Sequence, residues 1–511
     1  MTSRVDEFQH GGAVDDSQPL PFGPAGRLER FRATSRRQRL HPLEKILLSL
    51  VLAQLVFLPW ALGGMRWWAQ LTSLVLALVT FAVALMPRTY TAEFTTGPDF
   101  RMLPLPRLLK FPVFWCGLLL LGYIVVQALN PGWIYIERDR LWWMEMLPRI
   151  DWLPSGTANP FVLGGPWRML VIYGAAWLLV CSIWIGLTRR RSLQLLLTGL
   201  AANGFALALF ALVQRLTSNG KIYWSIPSAN ASFFGSFIYK NHAGAYLLLI
   251  LIVATALGAW HYLRGLRRME KSSPSALFVF FAVLLATNIV VSYARGATLA
   301  MAAFVLAAGL AFLVFQWRQP SDLRRPVVSI ALVAALGGFG YVGFSALSAE
   351  KALDRMQRLF EDENASVRSR QIASRATWEM LQDNWQWGTG AGSFRFLFPI
   401  YQQKHPEIFQ QGKRRLFWDH AHNDLLQIPV ELGLPGVALI VIAGLFWFLR
   451  LIKTCFWENP LAVLLVAGLL IVLAHAWTDF LFYNPAILLT WCALWPVVTL
   501  WAEAEEKTVR T

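Results

Sequence analysis

Long apolar runs alternate with short polar connections from Leu43 to Trp501. Each run holds the roughly 17–25 predominantly apolar residues that a helix needs to cross the hydrocarbon core of a bilayer. Helices also satisfy their own backbone groups in lipid. The pattern predicts an all-α polytopic membrane protein with about twelve transmembrane helices, at residues 43–62, 67–86, 111–129, 167–187, 192–215, 242–262, 275–292, 296–316, 327–347, 424–449, 460–478 and 485–502.

The polar segments divide the chain further. Residues 1–42 lack apolar periodicity and predict a disordered, basic cytoplasmic tail, and residues 503–511 predict a second cytoplasmic tail. Two segments between predicted spans are long. Residues 130–166, within the 43–347 stretch of spans one to nine, are rich in tryptophan and predict an interfacial, partly helical flap. Residues 348–423 predict a large helical loop domain ahead of the last three spans, 424–502.

Within this loop domain, Ser366 is a candidate N-cap for an amphipathic helix. Its predicted apolar face holds Val367, Ala373, Trp378 and Leu381. The sequence GTGAGSF at 388–394 follows it. This stretch lacks the Lys-Ser/Thr ending and the preceding strand of a nucleotide-binding loop, so a tight turn at the membrane surface is the better interpretation.

Composition agrees with a membrane protein, since 56% of the residues are hydrophobic and only 15% are charged, against about a quarter in soluble domains. The net charge of +16 is not accompanied by an aromatic–basic motif, so nucleic acid is not an expected partner. Sixteen Lys and Arg residues lie in one set of alternate short loops and four in the other. This asymmetry predicts cytoplasmic termini, with membrane lipids as neighbours. The four cysteines have no CxxC spacing and indicate neither a metal site nor a disulfide framework.

Candidate functional residues fall on the side opposite the basic loops. Arg295 lies in a loop of a few residues, where it either snorkels to cap a helix end or holds a phosphate group with its planar fork. Arg368 and Arg370 either form a solvated helical face or belong to the same constellation. The further members are Lys240, Asn241, His242, Arg375, His420 and His422.

The sequence HAHN at 420–423 directly precedes an apolar period, which places His422 or Asn423 at a helix N-terminus. The helix dipole there favours a neutral imidazole, which can accept a proton from a hydroxyl group. The alternative role of His422 is an N-cap or a hydrogen-bonded interfacial histidine. Glu431 and Asp479 lie within or beside apolar runs, so they are either functional acids or structural partners of Arg295 or His422. No convergent set of metal ligands with short spacing is present, so we expect no metal.

Four stretches together resemble the O-antigen ligase/polymerase superfamily of bacterial envelope glycosyltransferases. They are GSFIYKNHAGAYL at 235–247, SYARGATLA at 292–300, RQIASRATWEMLQDNWQWGTGAGSF at 370–394, and the set His422, Asn423, Leu426, Gln427, Glu431, Gly433 and Gly436. Two positions depart from the pattern. Tyr239 stands where the family often has asparagine, and Trp385 stands where a proline is usual.

The resemblance implies a GT-C-like enzyme of the bacterial inner membrane whose site faces the periplasm. The donor would be a glycan on undecaprenyl diphosphate, and the acceptor a polysaccharide or lipid A core. Arg295 and Arg370, or Arg368 in place of Arg370, would hold the diphosphate, and His422 would act on the acceptor hydroxyl as base or positioner. Further expected substrate contacts are Lys240, Asn241, His242, His420, Asn423 and Glu431. Inversion at the anomeric carbon is expected, with no metal and no cofactor.

Ligase and polymerase remain alternatives at this point. A function of another class also fits the basic outer surface, namely a transporter or flippase for a lipid-linked anionic glycan. That function predicts charged or broken segments near the midplane of both halves of the chain, and the sequence shows little pairing of this kind.

Overall fold

The computed structural model describes residues 39–91, 93–94, 99–139, 141–228, 230, 232–268, 272–317, 368–411 and 414–510. The helices of these residues, numbered in chain order, are α1 (Pro42–Trp60), α2 (Trp67–Ala84), α3 (Pro104–Leu109), α4 (Pro112–Leu129), α5 (Pro166–Gly186), α6 (Arg190–Thr217), α7 (Lys240–Arg268), α8 (Ser275–Val291), α9 (Arg295–Trp317), α10 (368–384), α11 (Phe394–Gln402), α12 (Pro406–Phe409), α13 (Asp424–Lys453), α14 (Pro460–His475) and α15 (Pro485–Arg510). Within the described residues, nine helices are long and apolar enough to cross a membrane, and α8 and α14 are shorter apolar helices.

The prediction of a polytopic, mostly helical membrane protein is confirmed. Every predicted span but one coincides with a helix. The predicted ninth span, 327–347, lies outside the described residues, as do 1–38 of the predicted tail and 348–367 of the predicted loop domain, with Ser366 and Val367. The total of twelve spans therefore stays a prediction.

The flap predicted at 130–166 is a small β-sheet, so the prediction that it is partly helical was wrong. Strands β3 (Pro131–Arg138) and β4 (Leu141–Met146) form an antiparallel hairpin, and β5 (Gly156–Ala158) pairs with β3 in parallel. Aromatic and β-branched side chains pack well across neighbouring strands, and Tyr135 stacks on Trp142 with ring centroids 5.7 Å apart. Three two-stranded antiparallel sheets complete the strands: β1 (Arg88–Tyr90) with β2 (Phe100–Met102), β6 (Lys221–Ile222) with β7 (Ile226–Pro227), and β8 (Gln410–Gln411) with β9 (Arg414–Arg415).

Two apolar cores hold the fold together. The larger core joins the membrane helices, and α7 is its most buried member. The smaller core joins α10 and α11 to the start of α13 and contains Ala373, Ala376 and Met380, which share one face of α10 at helical spacing. Trp378 is 50% exposed, so its predicted place on the apolar face of this helix was wrong.

Five segments meet at one end of the helix bundle, which we call the site end. They are the α1–α2 connection, the start of α5, the start of α7, the start of α13 and the α14–α15 connection, and all five line one cavity. Sequence-distant polar residues are thereby brought together.

Candidate active site

His422 directly precedes α13, and Asn423 is the N-cap of that helix. The Asn423 side chain accepts a hydrogen bond from the Leu426 backbone N–H at 3.2 Å, as expected for an N-cap. His422 has a φ of 53°, a left-handed conformation that non-glycine residues rarely adopt and that clusters at functional sites. Its Nδ1 lies 3.1 Å from Oδ1 of Asp479. The pair joins the start of α13 to the α14–α15 connection.

Asp479 is the most constrained acid of the site, since its side chain is 3% exposed. Oδ1 also accepts a hydrogen bond from the Phe480 N–H at 3.0 Å, and Oδ2 accepts one from Asn241. Burial by itself would raise the pKa of Asp479, but the hydrogen bond and charge of His422 outweigh it, and Arg370 adds to them, so this pKa is lowered. An ionised carboxylate only accepts hydrogen bonds. Nδ1 of His422 therefore carries the hydrogen of this bond, and Nε2 is the ring nitrogen that can exchange a proton with a ligand.

The ring of Phe480 forms the centre of an aromatic cluster, which we call the Phe480 cluster. His420 stacks on it at 4.2 Å and Tyr239 at 5.4 Å between ring centroids. His242 and His422 meet it edge-on, and Nε2 of His242 is 3.0 Å from the Phe480 carbonyl oxygen. Burial lowers the pKa of His420 to about 3, so this imidazole is neutral at physiological pH. The structure therefore brings together all three histidines that the sequence singled out.

Four basic residues lie beside this cluster, and we call Arg215, Lys240, Arg295 and Arg370 the cationic group. Lys240 interacts electrostatically with the three arginines. Arg370 donates from Nη1 to the carbonyl oxygen of Thr478 at 3.2 Å, directly next to Asp479. Arg368 is exposed. Sequence reasoning missed Arg215, which lies in the last turn of α6 and belongs to no motif.

Tyr239 connects the cationic group to Asp479. Its hydroxyl oxygen accepts a hydrogen bond from Asn241 at 2.6 Å and also interacts with Arg370 and Asp479. Burial is the largest cause that raises the pKa of Tyr239, so the phenol stays protonated. The phenol thus supplies a polar contact at the position where the resembled superfamily often has asparagine.

A cavity of about 800 Å³ adjoins the Phe480 cluster, whose five rings all line it. It is lined by His242, His420, His422 and Glu431 of the predicted site residues, but not by Lys240, Arg295 or Arg370. Three further arginines, Arg66, Arg168 and Arg395, line it. They come from three distant segments with no shared motif, and sequence reasoning did not identify them as site residues. The predicted residues thus form two sets, those of the cationic group and those that line the cavity. His422 belongs to the second set and is bonded to Asp479, which lies beside the first.

Glu431 anchors the glycine-rich turn at 388–394, which forms a turn as predicted. The carboxylate accepts hydrogen bonds from Gly392 N at 2.6 Å, Phe394 N at 3.3 Å and Gln427 Nε2 at 3.1 Å. The facing kink in α13 lies at Gly433, which has a φ of 59°. Gly390 lies so close to Gly156 of β5 that a Cβ there would overlap its backbone. The turn therefore binds a carboxylate of its own chain and ties the flap to α13.

The predicted site residues occupy distinct positions, and their roles as substrate contacts stay predictions. Asn423 is buried as the helix cap, and Asn241 holds Asp479. Asp479 is a structural partner of His422, one of the alternatives that the sequence left open. Among the described residues, no three His, Cys, Asp or Glu side chains are arranged to hold a metal ion.

Comparison with known families supports the resemblance to the O-antigen ligase/polymerase superfamily. The family model described as O-antigen ligase matches residues 280–441. The matched stretch, less than half of the chain, contains Arg295, Arg370, His422 and Glu431, whereas Lys240 and Asp479 lie outside it. The resemblance to the O-antigen ligase/polymerase superfamily is confirmed over this stretch, and with the apolar helices it supports a membrane enzyme of the ligase or polymerase type. No curated protein matches the chain.

Proposed function

We propose that the protein is an integral membrane glycosyltransferase that moves a glycan from undecaprenyl diphosphate to a hydroxyl group of a saccharide acceptor. The reaction inverts the anomeric carbon and needs no metal. The proposed setting is a GT-C-like bundle of twelve spans in a bacterial inner membrane, with the site end in the periplasm and both termini in the cytoplasm. The match of residues 280–441 to O-antigen ligase and the nine apolar helices in the described part of the chain support this class.

The observation that carries the proposal is the His422–Asp479 pair, because His422 lines the 800 Å³ cavity and Arg370 of the cationic group is bonded beside Asp479. An inverting transferase needs its base beside the acceptor hydroxyl, with the donor phosphate on the far side of the anomeric carbon. Nε2 of His422 is the available acceptor for a proton, because Nδ1 is engaged by an ionised Asp479. The same carboxylate stabilises the imidazolium that forms, as in other carboxylate–histidine pairs.

The step is a direct displacement. His422 Nε2 removes the proton of the acceptor hydroxyl while that oxygen attacks the anomeric carbon. The bond between the anomeric carbon and the phosphate oxygen breaks, and its electron pair leaves with undecaprenyl diphosphate. The proton on His422 is then released to solvent or to the leaving diphosphate. Attack opposite the leaving group gives inversion.

The cationic group would bind the donor diphosphate and stabilise the charge that develops on the leaving oxygen. Guanidinium groups suit this task because they stay charged and form two parallel bonds to phosphate oxygens. Arg370 is the better candidate than Arg368, because it is bonded beside Asp479 whereas Arg368 is exposed. Arg295 and Lys240 interact electrostatically in the same group.

The test is glycosyl transfer by the full-length protein in lipid nanodiscs, with an undecaprenyl diphosphate-linked oligosaccharide as donor. We expect His422→Gln to lower the transfer rate by about 10²- to 10⁴-fold, the usual contribution of a general base. His405→Gln is the matched control, because His405 pairs with Glu379 in the loop domain and does not line the cavity. Equal rates for the two folded variants would rule out the proposed role of His422.

A further inference from the structure

The lining of the cavity holds more basic than acidic side chains, with Arg66, Arg168 and Arg395 against Asp419 and Glu431. Arg395 Nη2 is 3.2 Å from Asp419 Oδ1, so these two charges compensate each other. The carboxylate of Glu431 is bonded to the glycine-rich turn. Arg66 and Arg168 have no such carboxylate partner within the described part of the chain. A cavity with uncompensated guanidinium groups favours an anionic ligand.

Arg168 is fixed in place by neutral acceptors. Nε donates to Gln70 Oε1 at 2.8 Å, Nη1 to the Val162 carbonyl oxygen at 2.7 Å, and Nη2 to that of Met65 at 2.7 Å. These bonds use three of the five N–H groups of a guanidinium. The others remain for a ligand, and the group is already oriented, so binding requires little loss of side-chain freedom.

Aromatic rings line the same cavity. Phe417, Trp418 and Tyr483 are among its walls. Phe417 is 45% exposed, and its ring meets Trp142 of the flap edge-on at 5.6 Å. Trp142 in turn stacks on Tyr135, so the aromatic surface continues from the cavity onto the β3–β4 hairpin. Flat, exposed rings beside polar groups are suited to ligands with both apolar faces and hydroxyl edges, which is the character of sugar rings.

We infer that this arginine-lined part of the cavity is the acceptor subsite, and that its ligand is an acidic saccharide that bears carboxylate or phosphate groups. The inference rests on the proposed function, which it deepens by naming the class of acceptor. Arg66 and Arg168 bind the acidic groups, and Phe417 and Trp142 pack against the sugar rings. The volume of about 800 Å³ lies within the usual range of ligand sites, about 300–1,000 Å³.

The experiment is a binding measurement on the full-length protein in nanodiscs, without donor. The probes are β-1,4-linked tetraglucuronate, cellotetraose as its neutral counterpart, and cellotetraose 6-phosphate. We expect either acidic probe to bind at least about tenfold more tightly than cellotetraose, with a difference that shrinks at high salt. Whichever acidic probe binds more tightly identifies the acidic group. Equal affinity for all three probes, or no binding, overturns the inference.

Variants assign the effect to residues. Arg66→Gln and Arg168→Gln should each reduce the preference for the acidic probe by about fivefold to tenfold, the effect of one lost charge-assisted contact. Arg66→Lys keeps the charge without the planar fork and should retain part of the preference. Arg138→Gln is the matched control, because Arg138 is exposed at the end of β3 and does not line the cavity. An unchanged preference in folded Arg66→Gln and Arg168→Gln proteins would contradict the assignment.

The same probes separate this inference from the proposed function. His422→Gln should retain the preference for acidic probes, because the arginines are unaltered. If acidic probes bind selectively but the wild-type protein does not transfer glycan, the proposed function is wrong and the anionic subsite is supported. If transfer occurs and neutral and acidic probes bind alike, only the inference fails.

Discussion

Replacing Asp479 with asparagine removes a charge and changes almost no volume. The buried carboxylate accepts hydrogen bonds from His422 at 3.1 Å, from Phe480 N at 3.0 Å and from Asn241. An amide in its place offers one acceptor oxygen and one donor NH₂ group. If the NH₂ faces His422, it favours the opposite tautomer. If it faces Asn241, two donors meet. In both arrangements the imidazolium loses its counter-charge.

The magnitude follows from that counter-charge. Unit charges about 4 Å apart attract with about 4 kcal/mol at an effective dielectric constant of ~20. Loss of about 3–5 kcal/mol of transition-state stabilisation corresponds to a rate decrease of about 10²- to 10⁴-fold. A comparable loss accompanies the aspartate-to-asparagine change in serine protease triads, about 10⁴-fold. We therefore expect Asp479→Asn to lower the rate constant of transfer by about 10²- to 10⁴-fold, with donor binding little changed.

The assay is single-turnover transfer in nanodiscs as a function of pH, with donor binding measured on the same samples. Asp139→Asn is the matched control, because Asp139 is exposed at the tip of the hairpin and its φ of 52° suits asparagine. The control should transfer at the wild-type rate. A folded Asp479→Asn protein that transfers within about threefold of the wild type would refute the reasoning.

Three further predictions concern stability. Burial lowers the pKa of His420 to about 3. Because the pKa of histidine in the unfolded chain is near 6.5, the free energy of unfolding should be highest above pH 6.5 and should decrease as the pH falls toward 3. Thermal melts at several pH values should show this decline, and His420→Gln should flatten it. Gln127→Leu leaves the buried Ala391 N–H without its partner at 3.0 Å and should cost about 1–3 kcal/mol in thermal or chemical unfolding, whereas an unchanged melting temperature would contradict this. Gly390→Ala combines a positive φ with overlap on Gly156 and should destabilise the protein by more than about 2 kcal/mol, seen as early proteolysis between α10 and α11.

The helices of the bundle were predictable from sequence because their length and apolarity are local properties. The start of α13 was also predictable, since an asparagine before an apolar period is a capping signal, and Asn423 is the cap. The sequence pattern did not predict the secondary structure of the flap correctly. Tryptophan-rich interfacial sequence does not by itself separate helix from hairpin, although the aromatic and β-branched residues of β3 favour a strand.

The site was only partly predictable, because its geometry depends on contacts between distant segments. The sequence singled out His422 and noted Asp479, but 57 positions separate them, and only the packing of α13 against the α14–α15 connection joins them. Arg66, Arg168 and Arg395 meet in one cavity without any shared motif. The sequence analysis placed Trp378 on the buried face of α10 because its side chain is apolar. In the structure, the small side chains of Ala373 and Ala376 let this helix pack closely, and the large ring of Trp378 lies outside the contact.

The most direct test of the account is single-turnover transfer by His422→Gln with donor binding measured in the same nanodisc sample. We expect the variant to bind the undecaprenyl diphosphate-linked donor as the wild type does, because the cationic group is intact, and to form glycosidic bonds at least about 100-fold more slowly. Transfer at the wild-type rate would contradict it. So would wild-type protein that moves the donor across a vesicle bilayer without forming any new glycosidic bond, the behaviour of a flippase.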